Sequence, residues 1–331
     1  MKLTGLGNAL VDILIEMKNE VLLEELGLKP GTMTLVTPEV SELILQRAKG
    51  LPMQLVAGGS VANTLHGFAS LGGDCLYVGK VGPDPLGEVF AESLRSAGVR
   101  LALAKSNRST GVAATFISPD SERTFATSLS ASLDMSAADL KEEMFLGSDW
   151  LYGDGYTSFD PVLLRTALKM AKSAGLKIAF DLASPNVVSE NKELFWEVVR
   201  EYADLIFANE EESYALTGEE PEQALGILLR YCEMAVVKLG EDGSLAGCGD
   251  SVCKIMPVAA HAKDTTGAGD LYAAGFLFGI GQNLPVSVCG EIGSLLSAKV
   301  VEKIGSKIHS ALWPSVRHEV QQIISKASGL E

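Results

Sequence analysis

Asp264-Thr265-Thr266-Gly267-Ala268-Gly269-Asp270, followed at once by the apolar run Leu271 to Ile280, has the form of a strand-to-helix turn. Two glycines let the backbone turn tightly and come close to a ligand. The N–H groups of Gly267, Ala268 and Gly269 stand at a helix start, where they lack intrahelical acceptors and the dipole favours negative charge. A phosphate suits that place. Asp270 is a poor neighbour for a phosphate that is merely bound, because the two charges repel. The conflict resolves if Asp270 is a general base that takes a proton from an attacking hydroxyl while the amides hold the developing charge. The plainer alternative is a glycine-rich turn with an ordinary first-turn acid, which the dipole also favours.

The surrounding chain bounds the possibilities. Its 331 residues are 47% hydrophobic, enough to bury a substantial core and to exclude general disorder. A net charge of -15 argues against nonspecific nucleic-acid binding, which needs a basic footprint. A polyanionic substrate would therefore depend on local amides, a metal and a few Lys or Arg side chains. The five cysteines, Cys75, Cys232, Cys248, Cys253 and Cys289, are scattered and form no C-x-x-C pair. Neither a disulfide framework nor a zinc site is supported, and a reducing, cytoplasmic setting is expected. Met1-Lys2-Leu3-Thr4-Gly5 lacks a signal-peptide profile. The longest apolar run, near 271–281, falls short of the ~20 residues a membrane helix needs.

Outward from the turn, strands alternate with helices. Leu3 to Leu6 and Gly7 to Leu14 read as a first strand that breaks at Gly7-Asn8 and resumes, with Asp12 an acid inside an apolar stretch. Thr37-Pro38-Glu39 opens a helix that Lys49-Gly50 closes. Ala57-Gly58-Gly59-Ser60-Val61-Ala62-Asn63-Thr64 follows a short strand and enters a helix of small residues, with Asn63 facing the opening one turn in. Gly79-Lys80-Val81-Gly82 is not a P-loop: five residues rather than four separate Gly73 from Gly79, and Val81 stands where Ser or Thr is required. No G-x-G-x-x-G is present, which removes a dehydrogenase on a doubly wound sheet. From Gly98 to Ser128 the pattern changes to a hairpin, Gly111 to Ser118 and Arg123 to Ser128, joined by a turn at Ser118-Pro119-Asp120. Arg123, just past that turn, is either a phosphate partner or a solvated surface residue.

Downstream, Asp149 to Tyr152, Lys177 to Leu182, Asp204 to Ala208 and Ala235 to Leu239 read as strands separated by capped helices. This alternation predicts an α/β fold with a mostly parallel sheet covered on both faces. Ligands in such folds sit at the carboxyl ends of the strands. Asn8, Gly59, Gly155, Asn209, Gly240 and Gly267 all follow predicted strands and are expected to line one crevice. Asn209 and Glu212, spaced i to i+3, share one face of a first helical turn and carry hard oxygens suited to Mg²⁺, directly or through its waters. The competing account of these two is ordinary first-turn electrostatics. No internal repeat or interdomain linker is evident.

Three stretches, Ala57 to Asn63, Asn209-Glu210-Glu211-Glu212 and Asp264 to Asp270, resemble the hallmark motifs of the ribokinase-like (PfkB-type) carbohydrate and nucleoside kinases, in that family's order and spacing. The opening Gly7-Asn8-Ala9-Leu10-Val11-Asp12-Ile13 is similar to the start of adenosine kinases. The resemblance implies a three-layer α/β/α fold over 1–331 as a single domain, with a small β-sheet lid inserted at about 13–36 and 98–128. It implies that Asp270 activates a primary hydroxyl for attack on the γ-phosphate of ATP, with Gly267, Ala268 and Gly269 as the anion hole. Asp12, Gly59 and Asn63 would hold acceptor hydroxyls, with Asn8 nearby and Tyr156 as a stacking ring or, equally, a core residue. Asn209 and Glu212 would organise Mg²⁺ through water, Lys238 to Gly240 would border the nucleotide, and Arg123 would approach the transferred phosphate. A monovalent cation, K⁺, is implied beside Asp264 and Val300 to Ser306. The acceptor is expected to be a nucleoside, adenosine or a related furanose; fructose, ribose or 2-keto-3-deoxygluconate is the alternative. A nucleotide-binding regulator without catalysis is the reading from another class. Monomer and homodimer both stay open.

Overall fold

The computed structural model describes residues 1–118, 123–327 and 329. Nine strands form the larger sheet, in the spatial order Ser251–Ile255, Ser244–Cys248, Met234–Lys238, Leu205–Asn209, Lys177–Asp181, Trp150–Asp154, Lys2–Leu6, Asp74–Val81 and Arg100–Lys105. The seven from Met234–Lys238 to Arg100–Lys105 run parallel, and the two beyond them pair antiparallel. Strands such as Leu205–Asn209 and Met234–Lys238 are apolar runs buried residue after residue, as a sheet covered on both faces demands. One face packs on helices Ser60–Ser70, Ala268–Gly281, Val286–Val301 and Trp313–Ala327. The other packs on Pro161–Ser173, Lys192–Glu201 and Pro221–Leu228. The expected three-layer α/β/α architecture is what the chain adopts.

Ala268–Gly281 lies in the middle of its layer and is apolar nearly all round, with Leu271 to Leu277 buried. Its hydrophobicity is that of a core helix, and among the described residues no helix is long and apolar enough to cross a membrane.

Lys2–Leu6 marks the switch point of the sheet. The chain adds Asp74–Val81 and Arg100–Lys105 on one side of it, then Trp150–Asp154 and its successors on the other. The carboxyl ends of these strands gather Gly7, Asp154, Asp181, Asn209 and Lys238 at one rim, where an open α/β sheet leaves a crevice.

A second sheet of five strands, Met33–Leu35, Arg123–Ser128, Gly111–Ile117, Leu10–Glu16 and Met53–Gly58, has its own small core of Ile13, Ile15, Leu23, Ile44, Phe116 and Ala126. The first strand of the sequence reading is thus two strands in two sheets. The backbone leaves the large sheet after Leu6 and joins the second at Leu10, so Asp12 belongs to the second sheet. The interval 98–128 also divides. Arg100–Lys105 pairs in parallel with Asp74–Val81 as the edge of the large sheet, and only Gly111–Ile117 and Arg123–Ser128 enter the small one. Met53–Gly58, outside both expected intervals, pairs antiparallel with Leu10–Glu16. Pairing partners decide these memberships, and strand-like alternation alone does not reveal them. The expected turn at Ser118-Pro119-Asp120 falls largely outside the described residues.

Candidate active site

Gly267 has φ +78°, and a Cβ there would stand 2.7 Å from the Ser306 carbonyl oxygen. The left-handed backbone and the close approach both require glycine at this helix start. Asp270 follows in the first turn of Ala268–Gly281. Ser60 Oγ donates to its Oδ1 at 2.7 Å, and Asn63 Nδ2 donates to its Oδ2 at 2.9 Å. Ser306 Oγ in turn donates to Asn63 Oδ1 at 3.1 Å, and Thr64 Oγ1 donates to the Asp270 carbonyl at 3.2 Å. The first turns of two helices are therefore fastened face to face around one carboxylate. Burial pushes Asp270 up to about 6; the Asn63 and Ser60 donors pull it down, the Asp181 charge pushes it up and Lys238 pulls it down.

Asp270 and the Gly267 to Gly269 turn open onto a cavity of about 880 Å³, whose polar wall includes Ser60, Tyr156, Asp181, Asn209, Glu212 and Lys238. Gly240, with φ +55°, lies on the same wall, and Val258, Ala259, Ala260 and Ala298 supply an apolar one. Lys238 Nζ pairs with Asp181 Oδ2 at 2.9 Å. A Cβ on Gly269 would stand 3.1 Å from that ammonium, which places the charge over the amide turn. Asp181, missed in the sequence reading, is also fixed by the Ala183 N–H donating to Oδ1 at 3.0 Å, and Ala183 itself sits at φ +67°. Its signal was an acid closing an otherwise apolar strand. Asp154, on the neighbouring strand, is 2% exposed and burial pushes it up to about 8, helped by Asp181 and Asp270.

Asn209 and Glu212 hold each other in a capping box. The Asn209 N–H donates to Glu212 Oε2 at 2.8 Å, Asn209 Nδ2 donates to Oε1 at 3.0 Å, and the Glu212 N–H donates to Asn209 Oδ1 at 2.8 Å. Burial pushes Glu212 up to about 7 against the pull of Lys238. Glu212 and Asp181 present hard oxygens to the cavity, a donor set that suits Mg²⁺ reached through water. Among the described residues no group of three or more His, Cys, Asp or Glu converges to hold a metal directly.

The expected acceptor residues lie where the two sheets meet. Burial pushes Asp12 up to about 7, with Lys307 and Arg123 opposing and Asp270 and Asp264 reinforcing. Gly59 has φ +95°; a Cβ there would run into the Asn8 carbonyl, as one on Gly58 would into the Asp12 carboxylate. Asp12 and Asn63 do not line the large cavity, and the Asn63 amide is engaged at both ends by Asp270 and Ser306. Asn8 Nδ2 donates to the Tyr156 carbonyl at 3.3 Å, and both residues border a recess of about 50 Å³ with Leu133, Met135 and Phe159. Tyr156 packs on Phe159, ring centroids 6.3 Å apart, and joins the recess to the large cavity.

Arg123 and Asp264 meet each other. Arg123 Nη2 stands 2.6 Å from Asp264 Oδ2, and Nη1 donates to Thr266 Oγ1 at 3.4 Å. The Thr266 N–H donates to Asp264 Oδ1 at 3.0 Å and the Gly305 N–H to Oδ2 at 2.5 Å. The Asp264 side chain is 1% exposed. With both oxygens engaged and a guanidinium against one of them, Asp264 does not fit the monovalent cation that the resemblance implies.

A model of the PfkB family of carbohydrate kinases matches residues 39–312. The solved adenosine kinase of Sinorhizobium meliloti superposes with a TM-score of 0.86 at 34% identity, covering 96% of this chain and 99% of that one. A probable sugar kinase of Rhizobium etli CFN 42 superposes with a TM-score of 0.88 at 28% identity, over 96% of this chain and 98% of its own. The 5-dehydro-2-deoxygluconokinase of Geobacillus thermodenitrificans is 28% identical over 266 residues, 74% of this chain and 78% of that protein. The chain belongs to the PfkB family and is a sugar or nucleoside kinase, a phosphotransferase with an alcohol group as acceptor.

Proposed function

We propose that the chain transfers the γ-phosphoryl group of ATP to a primary hydroxyl of a nucleoside, adenosine or a closely related furanose. The observation that carries this is Asp270, a buried carboxylate fixed by Ser60 and Asn63 beside the amides of Gly267 to Gly269. Phosphoryl transfer needs positioning and charge neutralisation more than covalent help. Asp270 accepts the hydroxyl proton as that oxygen attacks, and the amides with Lys238 hold the charge that grows on the phosphoryl oxygens. ATP occupies the large cavity with its base against the wall of Val258, Ala259 and Ala298. Glu212 and Asp181 on the cavity wall would hold Mg²⁺ through its waters, and the ion would supply charge neutralisation for the phosphates. The second sheet acts as a lid that excludes water.

The nucleoside is favoured over a free sugar by the apolar and aromatic surface of Leu133, Tyr156 and Phe159 beside Asn8, which suits a flat base better than a bare sugar. Likeness to the S. meliloti enzyme supports the same choice. A sugar acid is the second reading. Lys307, a buried ammonium that feels the Asp12 charge and is hydrogen-bonded only through Ser93 Oγ at 2.9 Å among the described residues, is a cation suited to a carboxylate. The relatives that act on 5-dehydro-2-deoxygluconate agree with it.

The test is ATP-dependent ADP release with adenosine, other nucleosides, ribose, fructose, 2-keto-3-deoxygluconate and 5-dehydro-2-deoxygluconate. Asp270→Asn serves as control. Turnover with a nucleoside that collapses in the variant supports the proposal, and turnover confined to a sugar acid replaces it with the second reading. ATP binding without turnover on any acceptor would favour a regulator.

A further inference from the structure

We propose that Arg123 is a built-in cation for the anion-hole turn, taking the place of a bound monovalent ion, so that this kinase works without K⁺. The proposal rests on the kinase reading of the Asp264 to Asp270 turn. Asp264 begins that turn, and its two oxygens shape it through the Thr266 and Gly305 amides. A buried carboxylate needs a positive partner. Arg123 supplies it at 2.6 Å, with both side chains nearly sealed from water, 10% exposed for Arg123 and 1% for Asp264. An alkali ion beside Asp264 would lie within a few ångströms of the guanidinium, and at that distance like charges in a poorly solvated site repel strongly.

The guanidinium also has spare hydrogen-bonding capacity. Its Nε and Nη2 hydrogens find no well-aligned acceptor among the described residues, although Nη2 lies close to Asp264 as an ion pair. An arginine cannot lose its proton at working pH, so its charge is permanent. Arg123 is the first residue of its strand, paired with Ile117, and so reaches from the second sheet to the turn of the large domain. One side chain thereby holds the turn in shape and fastens the second sheet over it. Arg123 acts through Asp264 and is a positioning residue.

The experiment compares wild type and Arg123→Ala in buffer whose only other monovalent cation is tetramethylammonium, with K⁺ added at constant ionic strength. Two readouts are taken: the thermal midpoint without substrate, and the rate of ADP release with the best acceptor. Wild type is expected to change its rate by less than about twofold and to keep its midpoint, because no ion is bound. Arg123→Ala is expected to lose about tenfold or more in rate without K⁺ and to regain much of it with K⁺ or guanidinium, which can now enter beside Asp264. Its midpoint should rise with K⁺ where that of the wild type does not. Wild-type stability or rate that climbs steeply with K⁺ overturns the proposal and means that Arg123 leaves Asp264 in the working enzyme. An Arg123→Ala protein with no cation response at all overturns it too. The midpoint needs no acceptor, so failure of the kinase reading would show as absent turnover while the ion test still reports. The wild-type titration decides the matter even where the variant does not fold.

Discussion

Asn63 Nδ2 donates to Asp270 Oδ2 at 2.9 Å across 207 residues of sequence, and with Ser60 it is the force that keeps a buried carboxylate ionisable. Burial alone drives the group toward its protonated form, and the two donors oppose that. Asp270 must be ionised to take a proton, so the rate of the wild type should fall as pH drops through about 6. Asn63→Ala removes a donor that favours the carboxylate, which moves this limb to higher pH. The variant should thus lose more activity at about pH 6.5 than at about pH 8.5, and Asp270→Asn should lose about a hundredfold or more at both. A pH–rate profile of kcat for the three proteins measures this. An unshifted limb in Asn63→Ala would remove Asn63 from the control of the base.

Lys238 and Asp181 make a prediction of the opposite kind, in which one partner is harmful without the other. Asp181 is 3% exposed, and Lys238→Met leaves its charge buried with no counter-ion. Removing one member of such a pair costs about 3–5 kcal/mol, whereas replacing both by neutral groups is often nearly neutral. Denaturant unfolding should therefore find Lys238→Met strongly destabilised and Lys238→Met with Asp181→Asn restored for the most part. The double variant should still turn over slowly, because the ammonium over the amide turn is gone. A double variant no more stable than the single one would show that the ion pair does not govern stability here.

Features written locally in the chain were legible in advance. Gly267, Ala268 and Gly269 before a long apolar run announce a helix start, and Asn209 three residues before Glu212 announces a cap. What resisted reading depends on partners far apart. Asp181 and Asp154 look like ordinary strand-end residues until parallel pairing sets them side by side in register. Arg123 and Asp264 come together only because a hairpin of one sheet folds over a turn of the other. Arg100–Lys105, with charges at its ends and apolar residues between, has the pattern of a small-sheet strand as much as of an edge strand. Its partner Asp74–Val81 settles the matter, and nothing in its own six residues does.

Glu212 separates a structural from a chemical role. Its carboxylate accepts from the Asn209 main chain and side chain, so local capping already explains its presence. Glu212→Gln keeps one acceptor oxygen and should retain the fold, with a loss of about 1 kcal/mol or less. If Glu212 also orients the waters of Mg²⁺, the half-saturating Mg²⁺ concentration for ADP release should rise several-fold in the variant. An unchanged Mg²⁺ dependence together with a lowered unfolding midpoint would assign the residue to capping alone.

Asp154 tests how the crowd of carboxylates at the strand ends is tolerated. Its Oδ1 is buried with no hydrogen-bond partner among the described residues, and burial first, then the Asp181 and Asp270 charges, raises the group to about 8. The folded protein then keeps a proton that the unfolded chain gives up near the ordinary aspartate value. Native protein binds more protons between roughly pH 4 and pH 8, so stability falls as pH rises through that window, and the full cost of the buried charge is felt above it. Asp154→Asn has no proton to lose. The variant should unfold at a higher temperature than wild type at about pH 9, and the difference should shrink steadily as pH falls toward about 4, where Asp154 is protonated in the folded and the unfolded chain alike. Asp12 and Glu212, raised to about 7, act in the same direction, while Lys307, lowered to about 8, acts against them. All three are present in both proteins, so they cancel in the comparison. Thermal unfolding of the pair at several pH values measures the difference, and a gap that does not change with pH would mean that Asp154 is already ionised and paired at neutrality.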